Sequence, residues 1–194
     1  MKFQSGQKLI ITLAGFLLIN SCVLAQASIH CHVSYANAAQ TPIHDSALVQ
    51  LYQSGVLITG IPPDSNGDVV FDALPAGDYT LKVSVTKKSG GYNAMDSYLI
   101  VRHFVGMTPA LTGINLVAAD VNGSGGIPGS ADELAIVRRF IHMIPSFMPP
   151  NVPPPGRPDW VSETHTVILT DGTTETVNIR VLCTGDVNGS FTPY

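Results

Sequence analysis

The chain has 194 residues, 45% hydrophobic and only 12% charged, with a formal net charge of −4. Charged residues make up about 25% of an ordinary soluble domain, and the only adjacent basic pairs are Lys87-Lys88 and Arg138-Arg139, so the basic patch of a nucleic-acid binder is missing. High apolar content with a small net charge argues against disorder, and the length suits one or two small domains.

Residues 1–25 read as an export segment. Lys2 and Lys8 precede Leu9–Ile19, an apolar run too short to span a bilayer comfortably, and Val23-Leu24-Ala25 offers small residues for cleavage before Gln26. The alternative is lipidation at Cys22, although Ile19-Asn20-Ser21 makes a poor lipobox. Removing the segment deletes two lysines and no acid, so −4 becomes −6. No later run reaches 18 apolar residues, so no transmembrane segment is predicted, and the expected location is secreted or cell-surface. Cys31 and Cys183 are then the remaining cysteines, either as a disulfide, which export permits, or as two buried free thiols.

From Ser28 to Lys87 the pattern has period two. Ile29, Cys31, Val33 and Tyr35 alternate with His30, His32 and Ser34, as in a half-buried strand. His30 and His32 share a face and suit either a metal or solvent, with no third ligand nearby. Runs at 49–52 and 56–58 flank Ser54-Gly55 as a hairpin. Asp64-Ser65-Asn66-Gly67 and Pro75-Ala76-Gly77 are turns around Val69-Val70-Phe71 and the alternating Tyr79–Val85. Short strands at this spacing, antiparallel by turn length, predict a β-sandwich. The stretch Asn66–Val83, NGDVVFDALPAGDYTLKV, resembles the prealbumin-like regulatory domain of carboxypeptidases and the B-type repeats of bacterial surface adhesins. The resemblance covers about 60 residues and implies a non-catalytic, stalk-like sandwich.

After Lys88 the period becomes helical. Asp96–Phe104 (DSYLIVRHF) and Asp132–Phe140 (DELAIVRRF) align without gaps at an offset of 36, a repeat that reads as two paired units. Leu134, Val137, Ile141 and Ile144 form the stripe of a helix packed on one side. Pro145–Pro158 holds seven of the 14 prolines and reads as a semi-rigid connector. Thr166–Leu169 and Thr176–Leu182 flank Asp171-Gly172, which predicts a C-terminal β-hairpin.

Asp120-Val121-Asn122-Gly123-Ser124-Gly125 places oxygen side chains at positions 1, 3 and 5 and Gly at 6, the first half of an EF-hand-type calcium loop. Calcium takes six to eight oxygens, and only Gly tolerates the bend at position 6. Asp132, at the start of the next helix, offers the closing carboxylate one place late, at the thirteenth position instead of the twelfth. The competing reading is an ordinary Asn-Gly turn with Asp132 as a cap.

A DVNG-type loop running into a short duplicated helix resembles the type I dockerin, over roughly Gly90–Ile144. That resemblance implies calcium held by Asp120, Asn122, Ser124, the Gly126 carbonyl and Asp132. It also implies a cohesin-like partner gripping the helix faces. The corresponding contact residues are Ala94-Met95 and Ser130-Ala131 before the acids, and Arg102-His103 and Arg138-Arg139 after them. The family's frequent Ser-Thr pair is absent, and Arg102 and Arg138 also suit a solvated helix face or capping of the last carbonyls.

The first unit lacks half of its loop. Counting back from Asp96 as position 12 puts Gly91 at 7, but Val85, Lys87 and Ser89 at 1, 3 and 5. The missing half recurs near the C-terminus, where Asp186-Val187-Asn188-Gly189-Ser190 repeats Asp120–Ser124 letter for letter with no helix after it. A split site follows, in which Asp186, Asn188 and Ser190 meet Gly91 and Asp96 around a second Ca²⁺. Two carboxylates per site imply the weak extracellular range, Kd of about 10⁻⁴ to 10⁻³ M.

The predicted organisation is therefore multidomain β + α: signal peptide 1–25, β-sandwich 26–87, dockerin-like loop-helix pair 88–145, connector 146–158, and hairpin with half-loop 159–194. No nucleophile elbow, zinc motif or phosphate loop occurs, and Glu133 beside Asp132 is a helix-start feature. The expected function is non-catalytic, with two Ca²⁺ ions, either docking to a cohesin-like partner in an extracellular polysaccharide-degrading or surface assembly or serving as a purely structural surface module.

Overall fold

The computed structural model describes residues 26–147 and 157–193; the export segment, Cys22 and residues 148–156 of the connector lie outside them. Period two sorts the N-terminal strands into faces. β1 (Ala27–Tyr35) buries Ile29, Cys31, Val33 and Tyr35 and turns His30 outward. β2 (Ala47–Gln53) and β3 (Val56–Ile61) form a hairpin whose turn residues Ser54 and Gly55 take φ of 51° and 79°, the left-handed pair that a two-residue connection needs. β4 (Asp68–Leu74) and β5 (Gly77–Val85) follow. Three helices come next, α1 (Ala94–Phe104), α2 (Gly113–Ala119) and α3 (Ser130–Phe140), and then β6 (Trp160–Ser162), β7 (His165–Leu169) and β8 (Thr174–Cys183). The strands make two sheets, ordered β4-β1-β8-β6 and β3-β2-β5-β7, whose inner faces share a core that includes Val33, Leu51, Leu81 and Ile179.

The C-terminal strands depart from the expected hairpin. β7 pairs antiparallel with β5, from Gly77↔Leu169 to Leu81↔His165. β8 runs parallel to β1 from Ser28↔Thr174 to Tyr35↔Val181, so the sandwich is not all antiparallel. Asp171-Gly172 does reverse the chain, but from one sheet to the other. Each strand has its own buried face, Val167 and Leu169 on β7 and Val177, Ile179 and Val181 on β8, so the two meet across the core instead of edge to edge. A parallel neighbour requires a long crossover, and the intervening chain, helices included, supplies one. Residues 160–183 thus complete the sandwich, and the helices are inserted between β5 and β6.

The helices keep the 36-residue repeat but not the predicted stripe. Ile100 and Ile136 are the fully buried equivalents, whereas Leu134 and Ile141 are exposed. The reason is the acid four places earlier: Asp96 and Asp132 point into the loops, and residues i and i+4 share a face, so each helix is rotated to bury the following isoleucine. Ile100, Ile136, Ala119, Val121, Phe147 and the tail residue Val187 form a second core. The short α2 sits at the boundary, with Ile114 and Ala118 in the sandwich core and Ala119 in the helical one. No described helix is long and apolar enough to cross a membrane.

Cys31 and Cys183 are both buried and free, which decides for thiols over a disulfide, and burial pushes each thiol up to about 12. His32 Nδ1 lies 2.8 Å from Asp68 Oδ1 on β4 while His30 faces outward. Neither belongs to a cluster of three potential metal-binding His, Cys, Asp or Glu among the described residues.

Where β6 leaves its sheet for β7, Glu163 accepts hydrogen bonds from Arg180 Nε (3.0 Å), Nη2 (2.5 Å) and backbone N (3.1 Å). Burial pushes the Glu163 carboxyl up, but the Arg180 hydrogen bonds and charge outweigh it and hold the group below its ordinary 4.5. The stability that this contact adds is full above pH 4.5 and is lost as pH falls through the depressed value. Glu163→Gln should lower Tm by about 2 °C at pH 7 and by progressively less below pH 4, as followed by circular dichroism.

Candidate metal centre

Asp120 ends α2 and opens the contiguous loop. Its Oδ1 accepts from Ser124 N (3.0 Å) and Ser124 Oγ (3.4 Å), and its Oδ2 accepts from Gly125 N (3.0 Å). Asn122 Oδ1 accepts from Ser124 N (2.8 Å), and Asn122 N donates to Asp132 Oδ1 (3.2 Å). Asp132 Oδ2 then accepts from Gly129 N (2.9 Å) at the start of α3. Gly126 meets the loop through its N–H on Ser124 Oγ (3.4 Å).

The split halves come together with the same bonds. Asp186 Oδ1 accepts from Ser190 N (2.9 Å) and Ser190 Oγ (3.2 Å), and Oδ2 from Phe191 N (3.0 Å). Asn188 Oδ1 accepts from Ser190 N (2.9 Å), and Asn188 N donates to Asp96 Oδ1 (3.0 Å). Asp96 Oδ2 accepts from Asn93 N (2.8 Å), closing a capping box at the start of α1. Ser190 Oγ also reaches the Gly91 carbonyl at 3.2 Å, so hydrogen bonds link all five residues of the split half-loops. Gly91 has φ of +89°, and a Cβ there would lie 2.6 Å from Asp186 Cγ and Oδ2. A side chain at this position would fill the cradle.

Electrostatics separate the two loops. Asp96 and Asp186 are both fully buried, and no Lys, Arg or His pairs with either among the described residues. Burial pushes the Asp96 carboxyl up to about 6, the Asp186 charge adds to the rise, and the N–H donors of Asn188 and Asn93 oppose it. Two buried, electrostatically coupled carboxylates, an amide oxygen, a hydroxyl and a carbonyl form a hard, oxygen-only donor set, which suits Ca²⁺. At the contiguous loop a cation is already supplied: Arg157 Nη2 lies 2.8 Å from Asp120 Oδ2, and its Nε donates to Asp120 O at 2.9 Å. Burial raises the Asp120 carboxyl, yet Arg157 with Gly125 and Ser124 N–H brings it below the usual range.

Several of these partners carry no sequence signal. Tyr35 is a strand residue by pattern, yet its hydroxyl donates to Asp186 Oδ2 at 2.5 Å and accepts from Cys183 N. Phe191 stacks edge-on against Tyr35 and Trp160. Arg157 lies at the end of the connector with nothing local to mark it.

The candidate partner residues divide. Arg102 bonds the Thr108 carbonyl and sits over the Tyr98 ring, His103 Nδ1 accepts from Leu111 N, and Arg139 stacks over Tyr92 and Phe147. Ser130 and Arg138 are exposed, as are Ala94, Met95 and Ala131.

No family model matches the chain, and no curated protein does. Among solved structures, the Bacillus anthracis TIE protein aligns at 8% identity and TM-score 0.36, over 82% of this chain and 17% of that one. GBS52, the minor pilin of Streptococcus agalactiae, aligns at 11% identity and TM-score 0.37, over 82% of this chain and 45% of the pilin. The chain thus spans less than half of either neighbour, and likenesses this distant carry no argument about its activity. The dockerin resemblance rests on the loop residues and the duplicated helix alone.

Gly91→Ala should destabilise the protein by about 2 kcal/mol or more, from the left-handed φ together with the collision with Asp186. Gly125→Ala meets nothing within 4 Å at φ +73° and should cost about 1 kcal/mol. Urea unfolding of the two variants measures the difference.

Proposed function

We propose that the protein is a non-catalytic, extracellular or cell-surface structural module braced by two Ca²⁺ ions. Asp120, Asn122, Ser124, the Gly126 carbonyl and Asp132 would hold one ion; Asp186, Asn188, Ser190, the Gly91 carbonyl and Asp96 would hold the other. The observation that carries this reading is the match between the two loops, one contiguous and one assembled from segments about 90 residues apart, with the same backbone donors on the same carboxylate oxygens. An ion in the split loop would neutralise a buried acidic pair and tie the tail to α1 and, through Tyr35, to β1.

Isothermal titration should count two ions, falling to one in the Asp96→Ala/Asp186→Ala double variant. Calcium at about a hundred times Kd should add about 2.7 kcal/mol per site to the unfolding free energy. A single ion that the double variant leaves in place would remove the split site, a single ion that the double variant abolishes would remove the contiguous site, and none would remove the calcium reading.

A second reading, docking to a cohesin-like partner, is favoured by one feature: α1 and α3 leave Tyr98, Val101, Phe104, Leu134 and Phe140 exposed, and Arg138 on α3 is exposed as well. Where exposed apolar side chains join into one patch they mark an interaction surface. Under this reading, a secreted partner binds in calcium and is released by EGTA, and Phe104→Asp with Leu134→Asp abolishes capture while leaving Tm in calcium unchanged. Capture that survives both changes would exclude this face.

A further inference from the structure

We propose that Arg157 makes the Asp120 loop the weaker of the two calcium sites, so that two loops with matching ligands fill in order, the split loop first. The inference rests on the calcium reading and extends it to how the sites are ranked. In each loop the first aspartate offers Oδ1 to the serine N–H two places past the asparagine and turns Oδ2 toward a donor from outside the loop. That outside donor is the difference between them in charge. For Asp186 it is the Tyr35 hydroxyl, which is neutral and is held so by burial, which pushes the phenol pKa far up. For Asp120 it is the Arg157 guanidinium, at 2.8 Å.

A phenol orients a carboxylate without spending its charge. A guanidinium orients it too, but adds a fixed positive charge that repels an arriving dication. Asp120 is 3% exposed, so solvent screens this repulsion only partly. The donation from Arg157 Nε to the Asp120 carbonyl adds a second anchor that holds the charge in place. The split loop, by contrast, holds two buried acids with no cation beside them, which is the stronger electrostatic demand.

The test is calcium titration of the full chain at low ionic strength, with wild type, Arg157→Gln, Arg157→Lys and Tyr35→Phe compared. Wild type should show a tight and a weak phase, the tight one lost in Asp186→Ala. Asn188→Ala serves the same assignment if Asp186→Ala does not fold. Arg157→Gln, which removes the charge but keeps a donor, should tighten the weak phase about tenfold and leave the tight phase in place. Arg157→Lys, which keeps the charge, should stay within about twofold of wild type. The Arg157→Gln gain should shrink as salt is raised, as screening requires. Tyr35→Phe should move only the tight phase. A weak phase that loosens in Arg157→Gln, or that does not change, would overturn the ranking while the two-site reading stands. Absence of any calcium heat in wild type would remove both.

Discussion

The buried carboxylate of Asp186 is the contact on which the rest of the architecture depends. It receives the Tyr35 hydroxyl from the centre of one sheet, the N–H groups of Ser190 and Phe191 from its own tail, and it faces Gly91 and Asp96 at the start of α1. An ionised carboxylate removed from water must be met by donors or by a cation. Here the donors come from β1, the tail and, through Asn188, the neighbouring acid's own partner. Sandwich, tail and helices therefore converge on one group, and none of the three can move without stranding it.

That convergence explains the order of the chain. β8 must run through the middle of its sheet, beside β1, to deliver Asp186 next to Tyr35. Phe191 then packs against Tyr35 and Trp160, and Val187 enters the core shared by Ile100 and Ile136. The same demand sets the rotation of the helices. With Asp96 and Asp132 turned into their loops, Ile100 and Ile136 lie beneath them, and the apolar residues on the far side are left in solvent. The exposed face of the helical pair is thus a consequence of loop geometry. In the docking reading that consequence is put to use.

Two loops built from one five-residue string differ through what touches them from outside. A tyrosine from a strand and an arginine from a connector occupy equivalent places on equivalent oxygens, and their charges differ by one unit. Two such loops need not hold a cation equally well, because a fixed charge on one carboxylate changes what that carboxylate offers. The low charge content of the chain sharpens this, since each remaining charge has few others to offset it.

The pairing of the two loops was legible in the sequence because each DVNGS string encodes its own turn and because Asp96 and Asp132 stand at equivalent places in the 36-residue repeat. Strand alternation and the 36-residue helical repeat were legible for the same reason: period and turn chemistry act within a few residues. The destination of β7 and β8, the rotation of the helices and the roles of Tyr35 and Arg157 were not. Asp171-Gly172 specifies a reversal but not its plane, and an apolar stripe specifies a buried face only until a stronger local demand, a carboxylate turned into a loop, rotates the helix away from it. A strand tyrosine and a connector arginine acquire their roles from residues 151 and 37 positions away. Local pattern in the chain marked the longer strands, the two repeated helices and the paired DVNGS strings, but not α2 or β6. Only the tertiary structure decided which sheet each strand joined and which group stood behind each carboxylate, because those choices are made by burial and charge pairing between distant segments.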